Sequence, residues 1–326
     1  MSKRELFDVE LRPAAGSRFQ PTGFPDIGAA TFSRPVTRDG VDTWEECLLV
    51  ESAQSMANHL EATVWDRKSQ APISALEGLP YVRVVDTAGN YLSSSRTEAH
   101  RLAGAFVKDA RLQGISMKEV IRDRLQLKDE TPLAPSRIAS AIFGLDPLCL
   151  VHGVFFAEKA NVWPGQPKIP RALTAFVEAV DVREATSGGV KRDDVRHNLT
   201  EGGGGAAEGY GFVPFHRTEW VARRIIASFS IDHEQIIAYG LPDPASDLLV
   251  TIARLEVRRL LDGGFRPRTA CDLVPIDDSS ATDMLPSATE LESYARKLVA
   301  DCRDLIPASP VLDVIWAGDG KKKAAT

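Results

Sequence analysis

The chain has 326 residues, 44% hydrophobic and 26% charged, an ordinary globular composition that excludes disorder as its overall state and allows one large domain or two smaller ones. Its formal net charge of -6 excludes a protein that coats nucleic acid by bulk electrostatics, so any nucleic-acid surface must be local. The four cysteines, Cys47, Cys149, Cys271 and Cys302, have no C-x-x-C spacing, which excludes a zinc ribbon or a disulfide framework. The start, MSKRELFDVEL, has no apolar signal core, and no run of about 18 apolar residues follows. A cytoplasmic protein without membrane contact is the expectation.

Taken in order, LFDVELRP predicts a strand ending at Pro13, and GSRFQPTGFPDIGAATF is a loop rich in structure breakers. In EECLLVESAQSMANHLEATVW, Val50, Ala53, Ala57, Leu60 and Val64 recur at helical spacing, with Gln54, Asn58 and Glu61 on another face. Residues 66–135 lose this regularity: a strand YVRVVD, a turn TAGN and a short helix around SMKEVIRDRLQL predict an insertion. The core resumes in SRIASAIFGLDPLCLVHGVFFA, where LVHGVFF predicts a buried strand.

RALTAFVEAVDVREA and WVARRIIASFSI alternate as strands do. Between them lies SGGVKRDDVRHNLTEGGGGAAEGYGF, Ser187 to Phe212, far longer than the roughly 12–15 residues that a structureless connection usually reaches. Joining two neighbouring strands, it predicts an extended hairpin or lobe at residues 185–212 projecting from the end of a sheet. A helix, ASDLLVTIARLEVRRLL, follows and stops at Gly263 and Gly264. FRPRTACDLVPI then predicts a strand, ELESYARKLVADCRDL a helix and PVLDVIWA a final strand. Strands separated by single helices predict an α/β or α+β fold of one sheet and its helices.

Catalytic signatures are sparse. Gly202, Gly204 and Ala207 fit G-x-G-x-x-A, but no helix pattern follows them, so dinucleotide chemistry is not expected. No phosphate loop, H-E-x-x-H or G-x-S-x-G occurs, the six histidines show no ligand spacing, and His152 lies in an apolar run as a core histidine would. No catalytic residue, metal site or cofactor is expected. What remains is a set of arginines, amides and glycines on loops: Arg18, Gln20, Arg34, Gln54, Asn58, Arg137, Lys191, Arg192, Arg196, His216, Arg217, Arg266 and Arg268. Each arginine alone would pass for a surface ion-pair residue. Their clustering with glycine and proline suits a single-stranded nucleic acid, because guanidinium forks and exposed backbone amides bind phosphate.

RFQPTGFPDIGAATF, LLVESAQSMANHLE, SRIASAIFGLDP, LVHGVFF, GFVPFHRTEWVA and LDGGFRPRTACDL, in this order, resemble the backbone subunit of type I-U (I-G) CRISPR interference complexes, of the RAMP superfamily. The resemblance implies an α+β fold: one RRM-like (ferredoxin-like) palm over residues 1–326, a finger at 66–135 and a thumb at 185–212. It implies a cytoplasmic, non-catalytic antiviral-defence protein that polymerises along the CRISPR RNA in a Cascade complex. Its partners would be that RNA, target DNA, copies of itself and other Cascade subunits. RNA contacts are implied for Arg18 to Arg34, Gln54 to Asn58 and Lys191 to Asn198, the last including Asn198 itself. The thumb, polar and flexible until bound, would reach the adjacent subunit and push between bases. A second expectation is a metal-dependent RNA-cleaving subunit as in type III complexes, with Asp26 as the suspect carboxylate; a turn aspartate is the simpler reading of that residue.

Overall fold

The computed structural model describes residues 3–24, 26–129, 131–159, 161–192, 212–276 and 285–318. Strand β1, Arg4–Pro13, is followed by the hairpin of β2, Thr31–Arg38, and β3, Val41–Glu51. Helix α1, Ala53–Thr63, leads into strands β4, Tyr81–Val85, and β5, Tyr91–Ser94. Helices α2, Met117–Arg124, α3, Pro135–Phe143, and α4, Leu148–His152, precede the two longest strands, β6, Leu173–Arg192, and β7, Phe212–Asp232. Helix α5, Asp243–Gly263, the hairpin of β8, Phe265–Arg268, and β9, Cys271–Pro275, helix α6, Ala288–Asp301, and β10, Val311–Ile315, complete the order.

The fold is mixed α+β. Its main sheet has seven antiparallel strands in the order β8-β9-β1-β7-β6-β3-β2. Its four middle strands are β9, β1, β7 and β6, with α1 between β1 and β6 in the chain and α5 between β7 and β9. Period-two alternation sets the register: Phe7 opposes Phe229, Val9 opposes Ala227 and Leu11 opposes Ile225, and all six are buried on one face. The rings of Phe7 and Phe229 stack with centroids 5.2 Å apart. Helices α1 and α5 contact each other, and α1 also contacts β6. The opposite face carries Leu6, Thr174, Phe176, Ser228 and Ser230 around a shallow depression.

Strands β6 and β7 stay paired well past the sheet. Their register runs from Leu173 opposite Ile231 to Arg192 opposite Phe212, whereas β3 joins β6 only at Val177 to Val180. The distal half is therefore a two-stranded ribbon, tied at its base by the bridge of Phe19 to Trp220. Among the described residues no helix is long and apolar enough to cross a membrane.

Three sequence expectations are corrected. EECLLV is strand, not helix: β3 runs to Glu51, and α1 starts only after Ser52, whose hydroxyl caps the Ser55 N–H. LVHGVFF is not one strand, because Leu148–His152 forms a short helix after Pro147, with Asp146 accepting from the Leu148 N–H. Gly153, at φ 79°, ends that helix, leaving Val154–Phe155 to pair with Lys168–Ile169. The single sheet is also wrong. β10 belongs to a second, five-stranded sheet, where it lies between β4, to which it is parallel, and the short strand Arg111–Leu112.

Candidate nucleic-acid interface

A cleft of about 720 Å³ opens at the N-terminal end of α1. One wall is Ser52, Gln54, Ser55 and Asn58; the second is His100, Arg101 and Lys108; the third is the clip formed by Val154–Phe155 and Lys168–Ile169, continued by Pro170 and Arg171. No aspartate or glutamate lines it, although acids outnumber bases in the chain as a whole. Lys108 is paired with Glu158 at 3.2 Å. Lys168 Nζ instead lies 5.7 Å from the centroid of the Phe155 ring. Arg171 has a buried Nε without a hydrogen-bond acceptor among the described residues, and burial together with nearby Arg101 lowers its pKa.

The floor is rigid. Arg101, which adopts φ 54°, donates from Nε and an Nη to the two carboxylate oxygens of Glu61, both at 2.7 Å, and from its other Nη to the Gly153 carbonyl at 3.2 Å. One side chain thus ties α1 to the clip. Burial alone would lower the Arg101 pKa, but the Glu61 carboxylate outweighs it and the net shift is upward, while burial raises Glu61 against the pull of His152 and Arg101. Beneath, His152 Nε2 meets Glu256 of α5 at 2.7 Å, both side chains being fully buried. Burial lowers the imidazole to about 3, against the pull of Glu61, and raises Glu256 to about 8, against Arg96 and Arg101. At neutral pH this contact is a hydrogen bond between uncharged groups. Asp146 accepts from Ser95 at 2.5 Å and pairs with Arg96 at 2.7 Å, anchoring α4 to the second sheet.

The structure places the sequence-derived residues in several groups. Gln54 and Asn58 line the cleft. Arg18 and Arg217 converge on the buried Glu219, at 3.4 and 3.1 Å, where the loop after β1 meets the ribbon. His216 is exposed on the same strand opposite Gly188. Arg34 is engaged by Glu45 at 2.8 Å, and Arg38 shares that carboxylate. Arg268 is a clamp: it donates to the Gln20 carbonyl at 3.0 Å and the Val50 carbonyl at 3.2 Å and pairs with Glu51, so the loop carrying Gln20 is held against the end of β3. Arg266 is exposed on β8, and Arg137 donates to Gln126 at 2.8 Å, away from the cleft. Lys191 and Arg192 end β6, but their side chains, and Arg196 and Asn198 entirely, lie outside the described residues. So does the Gly202 to Ala207 match. Asp26 is exposed, and among the described residues no three potential metal ligands gather anywhere.

Lys108, Phe155, Lys168 and Arg171 escape sequence reasoning. The available signal is the run KIPR directly before β6, in which two cations flank a proline at the mouth of a buried strand.

Comparison with known families identifies the class. Residues 6–184, more than half of the chain, match the family described as CRISPR-associated protein GSU0053 (Cas_GSU0053), and the chain belongs to it. It is therefore a CRISPR-associated protein. A solved structure described as "CRISPR RNA-guided surveillance complex, pre-nicking" aligns over 86% of this chain and 72% of that chain, with 12% identity and a TM-score of 0.37. Comparison with curated proteins returns no match.

Proposed function

We propose that this chain is the guide-RNA-binding backbone subunit of a type I-U (I-G) Cascade assembly, polymerising along the CRISPR RNA and supporting recognition of target DNA. The single observation that carries the reading is the cleft at the start of α1, whose lining includes Lys168 and Arg171 and no carboxylate. In an acidic chain, a concave surface lined by Lys168 and Arg171 and by no aspartate or glutamate suits a phosphodiester backbone. In such assemblies base pairing reads the target, so sequence-tolerant phosphate contacts are the expected chemistry.

The topology supports an RRM-like palm. A strand, a helix, two antiparallel strands, a helix and a strand, with the middle strands ordered β9-β1-β7-β6, correspond to the ferredoxin-like order 4-1-3-2. On this reading residues 66–135 are the finger and the ribbon of β6 and β7 is the stem of the thumb at 185–212, which meets the next subunit. The protein acts as a non-catalytic, cytoplasmic scaffold alongside other Cascade subunits, without metal or cofactor.

Co-expression with guide RNA and the companion subunits tests this. The expected product is an assembly holding RNA of uniform length, lost in the double variant Lys168→Glu, Arg171→Glu. Recovery of an RNA-free monomer from the wild-type co-expression would overturn the reading.

A further inference from the structure

Phe155 is the large apolar side chain that stands out in the cleft. It is 47% exposed, although Val154 before it and Phe156 after it are buried. Its place is built. Its register partner across the clip is Lys168, whose ammonium sits over the ring. The clip is fixed at its root by Gly153, where any Cβ would come within 2.8 Å of the Ile169 carbonyl oxygen, and by the Arg101 hydrogen bond to the Gly153 carbonyl. A half-exposed ring with the Lys168 ammonium over it, in a cleft lined also by Arg171 and by no carboxylate, has the composition of a single-strand nucleic-acid platform: every base offers a π-face, and the phosphates beside it need positive charge.

We propose that Phe155 is the base-stacking platform of the cleft: one base of the bound single strand lies on its ring while Lys168 and Arg171 take the adjoining phosphates. This rests on the guide-RNA reading above and adds a residue to it. It also divides the labour in the cleft. Lys168 and Arg171 supply salt-sensitive affinity without sequence preference, and Phe155 fixes the position of the chain along the groove.

The test uses the full-length protein and a single-stranded RNA of about ten nucleotides, within the usual span of one binding fold, carrying 2-aminopurine in its middle. Wild type should bind and quench the fluorophore. Phe155→Ala should abolish the quenching and weaken binding about tenfold, the usual scale of one lost stack, with little change in the salt dependence. Phe155→Trp should restore both. Phe155→Leu keeps the bulk without the π-face and should behave like the alanine variant. Leucine binding and quenching as well as phenylalanine would overturn the platform in favour of an apolar contact. Binding by wild type with quenching unchanged in Phe155→Ala would overturn it while leaving the guide-RNA reading intact, whereas absence of wild-type binding would sink both. Equal melting temperatures across the set establish that the variants fold; should alanine melt lower, the volume-conserving leucine variant decides.

Discussion

At the scale of single residues, the contact of His152 with Glu256 predicts how stability responds to pH. Glu256, raised to about 8 in the fold from an ordinary 4.5, holds a proton there that the unfolded chain has released, so its stabilisation is complete below 4.5 and is lost as pH rises through 8. His152, lowered to about 3 from 6.5, works oppositely: its contribution is complete above 6.5 and is lost as pH falls through 3. The two slopes offset each other between 4.5 and 6.5, leaving a decline between 6.5 and 8. Urea unfolding across that window should show a fall approaching 1.4 kcal/mol per pH unit, about one proton's worth, from this pair. Glu256→Gln, which keeps the shape and cannot titrate, should remove it. A second outcome belongs to Arg101: Arg101→Met strands the buried Glu61 carboxylate and should cost about 3–5 kcal/mol, measured by the same unfolding. The partners of these groups were not legible from the sequence. His152 is readable as a core histidine, but Glu256 and Thr251 lie in the long helix pattern of α5, where polar residues signal solvent, and both are buried.

Among elements, the clip of Val154–Phe155 and Lys168–Ile169 depends on one glycine. At φ 79° and ψ 155°, Gly153 occupies a region closed to residues with a side chain, and it faces the Ile169 carbonyl. Gly153→Ala should therefore destabilise the protein by about 1–3 kcal/mol and lower RNA retention beyond what a matched surface variant such as Ile237→Ala does, as checked by thermal melting and filter binding. The same element shows why periodicity misleads. LCLVH and VFF are both apolar, and a continuous apolar run does not distinguish a buried helical turn from a buried strand. The proline before this run and the glycine within it do. EECLLV fails likewise, since Glu45 is buried by Arg34 and Arg38 rather than exposed on a helix, and the true start of α1 is marked by Ser52. Longer helices such as α5 and α6 were legible because both repeat over several turns and carry clear boundaries, Gly264 in one case and the Ser287 and Glu290 capping box in the other.

Across the whole molecule, the paired strands around Ser187 to Phe212 were legible, because two alternating patterns flank one polar segment; the cleft was not, because its walls are brought together from residues 52–58, 99–108 and 152–171. Such a site exists only after folding. The ribbon also supplies the clearest assembly test. Thr186 and Thr218 are register partners, so Asn-Gly can replace residues 187–217 as a two-residue hairpin turn without disturbing the strands below. That variant should melt within about 4 °C of wild type, the shift of about 1 kcal/mol in a large domain, because the described residues it removes, 187–192 and 212–217, pair only with each other. In co-expression it should fail to form the high-mass ribonucleoprotein seen by mass photometry. An unchanged assembly would exclude a bridging role for the ribbon.

The position of β10 carries a consequence for synthesis. β4 and β5 leave the ribosome more than two hundred residues ahead of the strand that must lie beside β4. At about 5–20 residues per second, the nascent lobe waits roughly 10–45 seconds with that edge open, and a parallel partner cannot be supplied by a local hairpin. During this interval the growing polypeptide offers an unsatisfied template to any neighbour on the same polysome, so conditions that slow translation of the α5 to α6 stretch should raise its demand for chaperones.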